Sequence, residues 1–153
     1  MKKILIAVDD SRGSEAAVRT FIDLFPSNRP ESVVILHVQK IEGRSLMDEM
    51  LGEAEMSTLK EMLKGTEYQN FLDRKAAKVI SFHTDLLKEK GIAGIKTLVR
   101  EGHPADEILN AAKEEGAGMI IIGSRGRKMH DLLMGSVSRE VANRADIPVL
   151  LAK

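Results

Sequence analysis

The sequence predicts an α/β fold in which a doubly wound, five-stranded parallel sheet lies between two layers of helices. Three observations lead to this prediction. Short apolar runs rich in branched residues recur along the chain, as is typical of parallel strands that are covered on both faces. Segments with helical spacing separate these runs, and glycine and proline mark the boundaries. The resulting order is βαβ, a helical insertion, and then βαβαβ, with right-handed crossovers.

The first half of the chain opens with an apolar strand at residues 4–8. Ser11 or Ser14 can cap the helix that follows, whose apolar residues form one face. A second apolar strand occupies residues 33–38. Residues 40–92 show no strand pattern, and we interpret them as a helical insertion into a single domain that spans residues 1–153.

Two helices are predicted in this insertion, a Met-rich one at 46–63 and a firmer one at about 67–90. We interpret the methionines as core packing, because methionine fills irregular gaps, rather than as a cofactor site. The second helix ends at Gly91, which suits a C-terminal cap.

The second half contains three more strands and two helices. A partly polar strand at 95–99 precedes a helix that begins at Pro104, a residue favoured at the first helical position. The central strand covers 119–122, and a helix follows at about 136–144. The last segment is the fifth strand, and Pro148 near its start favours a sheet edge, because a central strand needs that N–H group.

Composition narrows the function classes. Lys plus Arg is 23 and Asp plus Glu is 23, so the net charge is zero and nucleic acid is not expected as the main partner. The absence of cysteine excludes thiolate chemistry. No stretch is long enough to span a membrane and the N-terminus does not resemble a signal peptide, so we expect a cytoplasmic protein with no membrane partner.

Common catalytic motifs are absent from the sequence. It contains neither Gly-x4-Gly-Lys-Ser/Thr nor Gly-x-Gly-x2-Gly, and it has no nucleophile elbow. The four histidines form no closely spaced ligand pair, so no metal site is expected. Because the catalytic motifs are missing, no catalytic residue is expected either. Any ATP hydrolysis is expected to be slow or incidental.

The turn after the fourth strand has the pattern of an anion site. Gly123 and Gly126 follow the strand, and Gly135 leads into a helix through Ser136. Glycine lets the backbone approach a ligand closely, and the first N–H groups of a helix lack partners and carry partial positive charge. The polyphosphate of a nucleotide suits such a turn. Many turns of this kind bind nothing, however, and Ser136 or Ser138 could simply cap the helix.

Three strand ends are expected to surround one crevice. In doubly wound sheets, ligands bind beyond the carboxyl ends of the strands where the strand order reverses. Asp9 follows the first strand, Val38 ends the second, and Gly123 follows the fourth. Their convergence favours the nucleotide interpretation over an empty turn.

Taken in order, these segments resemble the universal stress protein family over essentially the whole chain. The resemblance implies an adenine-nucleotide alpha-hydrolase-like fold. The segments that carry it are Ile-Leu-Ile-Ala-Val-Asp-Asp-Ser at 4–11, Leu-His-Val at 36–38, Arg-Glu-Gly-His-Pro at 100–104, Ile-Ile-Ile-Gly-Ser-Arg-Gly at 120–126, Gly-Ser-Val-Ser at 135–138 and Ile-Pro-Val-Leu at 147–150.

The resemblance also implies site residues, because the ATP-binding branch of the family has a Gly-x2-Gly-x9-Gly-(Ser/Thr) loop. Asp9 is expected to meet the ribose. The residues expected to hold the phosphates are Gly123, Gly126, Gly135 and Ser136, completed by Val137 and Ser138. The residues expected to line the adenine slot are Ala7, Val8 and Val38, and Ile122 is a further binding candidate.

The phosphate loop departs from the family pattern in length. Eight residues, not nine, separate Gly126 from Gly135. Such a loop could tighten and still bind, accept only AMP-like ligands, or fail to bind. Arg125 and Arg127 could pair with phosphate or remain solvated, since an exposed ion pair contributes only about 0–1 kcal/mol.

The resemblance predicts a stress-response protein that binds ATP or AMP, with Mg²⁺ a possible companion of ATP. Asp9 and Asp10 could hold that ion, although adjacent acids in such a turn usually serve hydration and capping. The resemblance also implies a homodimer through the C-terminal strand at 148–152, where an edge strand would offer unpaired main-chain groups. The alternatives are a scaffold of the same fold without nucleotide and, less favoured, a slow ATPase.

Overall fold

The computed structural model describes the protein over residues 1–39, 67–125 and 135–153. The Met-rich helix expected at 46–63 lies outside this part of the chain, as do the candidate loop residues Gly126 and Arg127. Within the described residues, no helix combines the length and the apolar character needed to cross a lipid bilayer.

Five parallel strands form one sheet in the order β3-β2-β1-β4-β5, which confirms the predicted doubly wound α/β fold. β5 lies at an edge of the sheet, as Pro148 indicated. The strands are β1 (Lys3–Ala7), β2 (Ser32–Gln39), β3 (Ile95–Glu101), β4 (Met119–Gly123) and β5 (Val149–Ala152).

Capping signals read from the sequence are found at two of the helices in the described residues, whereas the helix after the fourth strand begins after its N-cap Gly135, without the serine cap that the sequence allowed. They are α1 (Arg12–Leu24), α2 (Glu67–Glu89), α3 (Pro104–Glu115) and α4 (Ser136–Arg144). Ser11 is the N-cap of α1, and its side chain accepts a hydrogen bond from the Ser14 N–H. Pro104 opens α3, and Gly116 ends it with a left-handed φ of 65°.

The sheet separates two apolar cores, because successive residues of a strand point to opposite faces. Ile4 and Ile6 of β1 belong to the core under α1 and α2, which α2 reaches through Leu87. Leu5 and Ala7 belong to the core under α3 and α4. Each fully buried Ile or Leu contributes roughly 1.5–3 kcal/mol, so burial on both faces holds the central strands rigidly.

The strand order reverses between β1 and β4. From β1 the chain proceeds outward to β2 and β3, whereas from β4 it proceeds in the opposite direction to β5. Ala7 and Ile122 are paired in register near the carboxyl ends of these two strands. The turns that follow β1 and β4 therefore leave the sheet side by side, at the place where such folds bind ligands.

Candidate functional site

The turn after β1 is organised by the carboxylate of Asp9. Its Oδ1 accepts hydrogen bonds from the Ser11 N–H at 2.8 Å and from the Ser14 hydroxyl at 2.8 Å. The Ser14 oxygen also accepts a hydrogen bond from the Asp9 N–H at 2.7 Å. Because Ser11 also caps α1, these hydrogen bonds tie the Asp9 carboxylate to the start of the helix without the help of a ligand.

Opposing effects act on the pKa of Asp9. Burial raises the pKa, whereas the hydrogen bonds from Ser11 and Ser14 lower it, and the net result is a pKa below the ordinary value of 3.8. Asp9 is therefore ionised at neutral pH. An ionised carboxylate only accepts hydrogen bonds, so it suits a hydroxyl-bearing ligand group and repels a phosphate.

Two histidines hold the main chain of the same turn. The His37 ring donates from Nδ1 to the carbonyl oxygen of Val8 at 2.9 Å. The His83 ring, on α2, donates from Nε2 to the carbonyl oxygen of Asp9 at 3.1 Å. Burial lowers the pKa of His83, so its imidazole is neutral at pH 7. Both carbonyl groups at the exit of β1 thus have side-chain donors.

A close contact between glycines joins the two turns. A Cβ atom built on Gly13 would overlap the carbonyl oxygen of Arg125, and one built on Gly123 would lie 2.5 Å from the carbonyl group of Gly13. Neither glycine has a positive φ. Gly123 is therefore required for the approach of the α1 start to the β4 turn, and not for a left-handed backbone.

The turn after β4 is held by main-chain hydrogen bonds. The Ser124 N–H donates to the carbonyl oxygen of Ala152 at 2.7 Å, and the Gly135 N–H donates to that of Ser124 at 2.6 Å. These two amides are therefore already bonded within the protein. The start of α4 remains a candidate for the anion-binding amides predicted for this turn.

The first turn of α4 offers further main-chain N–H groups. Gly135 is the N-cap and supplies no side-chain oxygen to the helix. The first N–H groups of an α-helix have no intrahelical acceptor and carry partial positive charge. Ser136 is exposed and Val137 is half-buried. Ser138 is buried instead, and its hydroxyl donates to the carbonyl oxygen of Gly135 at 2.9 Å, so it stabilises the turn.

The apolar candidates lie at or near the carboxyl ends of β1, β2 and β4. Ala7, Val8 and Ile122 are at most 7% exposed, and Val38 is half-buried near the end of β2. Arg125 is half-buried, with its carbonyl oxygen facing α1. The structure thus brings the candidates from β1, β2 and β4 to the side of the sheet where the carboxyl ends of the strands lie.

Sequence reasoning missed three contributors to this site, Gly13, His83 and Ser124. The glycine stands in the first turn of a helix, where a lone glycine is easily passed over. His83 contacts a residue 74 positions away, which no local pattern predicts. Ser124 acts through its main-chain groups. Ser14 was expected only as an alternative cap, and its additional bond to Asp9 has no sequence signature.

One group among the described residues has geometry that could hold a metal ion. Ligand atoms of His103, Asp106 and Glu140 lie within 4.8 Å of one another. Nη1 of Arg144 already bonds both carboxylates at 2.7 Å. We therefore describe the group as an ion-pair network that joins α3 to α4.

Comparison with known proteins gives a consistent family relationship. A sequence model of the universal stress protein family matches residues 1–153. A universal stress protein of Methanocaldococcus jannaschii is 31% identical over 156 residues, which cover 99% of this chain and 94% of that protein. The solved structure of that archaeal protein aligns with a TM-score of 0.66 at 29% identity, covering 99% of this chain and 95% of that one.

Two more distant structures share the fold. The universal stress protein of Archaeoglobus fulgidus in complex with dAMP has a TM-score of 0.65 at 21% identity, covering 100% of this chain and 98% of that one. A family protein of Arabidopsis thaliana with AMP bound has a TM-score of 0.66 at 20% identity, covering 100% and 92%. The match along the whole sequence, the archaeal relative and the strand order agree: the chain belongs to the universal stress protein family.

Proposed function

We propose that this protein binds an adenine nucleotide, AMP or ATP, in the crevice between the ends of β1 and β4. The observation that carries the proposal is the prearranged, ionised carboxylate of Asp9 beside the strand-order reversal. The start of α4, which has no side-chain cap, follows β4. The proposal thus assigns an acceptor for sugar hydroxyls and donors for phosphate to the turns that follow two neighbouring strands. The adenylate ligands of the Archaeoglobus and Arabidopsis relatives support this ligand class.

The ribose is assigned to Asp9. Its ionised carboxylate accepts hydrogen bonds from hydroxyl groups, and Ser11 and Ser14 hold it in place without a ligand. A prearranged acceptor avoids the ordering cost that a mobile side chain would incur on binding.

The phosphate is assigned to the start of α4. The N–H groups of Ser136 and Val137 lie in the first helical turn, where partial positive charge attracts anions. Gly123 shapes the turn after β4, which leads to this helix, by its contact with Gly13. Gly126 joins the phosphate assignment through the sequence resemblance, and Arg127 joins it as a possible charge partner of phosphate; the contribution of both remains a prediction.

The adenine ring is assigned to the apolar residues at the ends of β1 and β2. Ala7 and Val38 lie on the side of the sheet covered by α3 and α4, and Val8 lies on the opposite side. Val38 is the most accessible of the three. A flat apolar ring gains free energy from contact with apolar surface at roughly 25 cal/mol per Å² buried.

Titration calorimetry with AMP and ATP, each with and without Mg²⁺, tests the proposal. We expect saturable binding of at least one nucleotide, and about a tenfold or larger loss of affinity in Asp9→Ala, since hydrogen bonds to charged groups contribute about 1.5–3 kcal/mol. The matched control is Asp23→Ala, an exposed acid near the other end of α1. Absence of saturable binding in the wild-type protein would overturn the proposal.

A second candidate is a scaffold of the same fold that holds no nucleotide. The internal bonds of the Ser124 and Gly135 amides favour it, because they reduce the number of donors available to phosphate. Addition of AMP would then leave the melting temperature unchanged. A true ligand at 100 times its dissociation constant adds about 2.7 kcal/mol of stability, which a melting curve resolves readily.

The proposal includes a homodimer formed through β5, acting in the cytoplasm in a stress response. Among the described residues, β5 pairs with β4 alone and lies at the sheet edge, so it can pair with the same strand of a second copy. Sedimentation velocity should give twice the mass of the chain. A monomer throughout the micromolar range would contradict this part of the proposal.

A further inference from the structure

His83 reaches the candidate site from a different layer of the fold. The ring lies on α2 and is 2% exposed, and its Nε2–H group donates to the carbonyl oxygen of Asp9 at 3.1 Å. The contact joins α2, which covers one of the two cores, to Asp9, whose carboxylate is the proposed ribose acceptor. The other bonds to Asp9 come from its own turn, whereas this one comes from 74 residues along the chain.

The ring is oriented by its neighbours. Phe82 meets it edge to face, with ring centroids 5.1 Å apart. Val79 and Leu87, one turn away on either side along α2, are buried in the core beneath the helix. With the helix anchored on both sides, the imidazole is held near the carbonyl oxygen to which it donates.

The other ring nitrogen shows that the imidazole is costly at this position. Nδ1 of His83 is buried and has no hydrogen-bond partner among the described residues. A buried polar atom without a partner destabilises the folded protein, a penalty that leucine would avoid in the same space. The compensating feature on the same ring is the bond from Nε2 to Asp9.

We propose that His83 is a positioning residue for nucleotide binding, which holds the Asp9 main chain so that the Asp9 carboxylate meets the ribose. The inference rests on the proposed function. His37 fixes the preceding carbonyl, that of Val8, from β2. The two imidazoles together hold the carbonyl groups of two successive residues at the exit of β1. His83 holds the carbonyl group of Asp9, the residue whose side chain is assigned to the ribose.

The test is the affinity for AMP, measured by titration calorimetry on three His83 variants. Leu and Asn both lack a donor at the Nε2 position, whereas Gln retains an amide N–H that can reach it. We expect His83→Leu and His83→Asn to weaken AMP binding about tenfold, equivalent to about 1.4 kcal/mol, and His83→Gln to remain within about twofold. The control is His103→Leu, an exposed histidine on α3's N-terminal side.

A double-mutant cycle with Asp9→Ala separates positioning from general loss of structure. The carbonyl group that His83 contacts belongs to the main chain, so it persists in Asp9→Ala. If His83 acts through the Asp9 carboxylate, His83→Leu should cause no further loss of AMP affinity in that background. An equal loss in both backgrounds, or wild-type affinity in either donor-lacking variant, would overturn the inference.

The failure of this inference is distinguishable from failure of the proposed function. If the wild-type protein binds neither AMP nor ATP, the proposed function fails and takes this inference with it. If the wild-type protein binds AMP and the donor-lacking variants bind it equally well, only the role of His83 fails.

Discussion

The turns after β1 and β4 leave the sheet side by side but are stabilised in different ways. The β1 turn is held by side chains from three elements, with Ser11 and Ser14 at α1, His37 on β2 and His83 on α2. The β4 turn is held mainly by main-chain groups, through Ser124. One turn thus presents a fixed carboxylate, whereas the other presents the start of a helix.

This difference teaches which part of a ligand each turn can select. A carboxylate held by side-chain donors discriminates by hydrogen-bond geometry, so it suits the hydroxyl groups of a sugar. A helix start attracts negative charge with little geometric demand, so it suits phosphate groups of varying number. Substitutions in the β1 turn should therefore change specificity, and those in the β4 turn should change general anion affinity.

The largest expected effect comes from the glycine contact that joins the two turns. Gly13→Ala gains roughly 1 kcal/mol of helix propensity but places a Cβ atom against the carbonyl oxygen of Arg125. Because both partners are main chain, neither can move cheaply, and we expect a net loss of roughly 1–3 kcal/mol in the free energy of unfolding. Denaturant unfolding measures it. Arg12→Ala, an exposed neighbour in the same helix turn, should change stability by less than about 0.5 kcal/mol.

The next effect concerns the β1 turn alone. Asp9→Ala removes the charged acceptor of the Ser11 N–H and the Ser14 hydroxyl, and we expect a loss of about 2 kcal/mol in the free energy of unfolding. Thermal and denaturant unfolding should agree on this value. A loss no greater than that of Asp23→Ala would show that the carboxylate does not organise the turn.

Ser138→Ala tests the β4 turn and should have a smaller effect. The hydroxyl bonds the neutral carbonyl groups of Gly135 and Ser124, and a neutral hydrogen bond contributes only about 1 kcal/mol. Denaturant unfolding measures the loss in stability. If this variant were less stable than Asp9→Ala, the side-chain hydrogen bonds of the β4 turn would contribute more to stability than those of the β1 turn, contrary to the expected order.

The smallest effect is a difference in pH dependence. The pKa of Asp9 is lower in the folded than in the unfolded protein, so its contribution to stability is present above about 3.8 and is lost as the pH falls through the folded pKa. The stability advantage of the wild-type protein over Asp9→Asn should therefore be constant near neutral pH and shrink in acid. Chemical unfolding of both proteins from about pH 7 to about pH 2.5 measures the difference. The contributions of other acids, such as Glu115, to the pH dependence of stability cancel in this difference because both proteins contain them.

The sheet and its helices could be predicted because their signals are local. The apolar runs of β1, β2 and β4 follow from burial on both faces, and the edge position of β5 follows from Pro148. The helix boundaries at Ser11 and Gly116 follow from capping chemistry.

The arrangement of the site could be predicted only in part, because its contacts are long-range. Asp9 was identified from its place after a strand, but the bond to its carbonyl from His83 depends on where α2 packs. The glycine pattern indicated Gly123, yet the reason for this glycine is the approach of Gly13 from another element. The bonded amide of Ser124 likewise depends on β5, which lies far along the sequence.

A crystal structure of the protein with AMP tests the central claim most directly. The account predicts ribose hydroxyl groups within hydrogen-bond distance of the Asp9 carboxylate, and the phosphate at the main-chain N–H groups of Ser136 and Val137. AMP bound with its phosphate away from α4, or with its ribose out of reach of Asp9, would contradict the account.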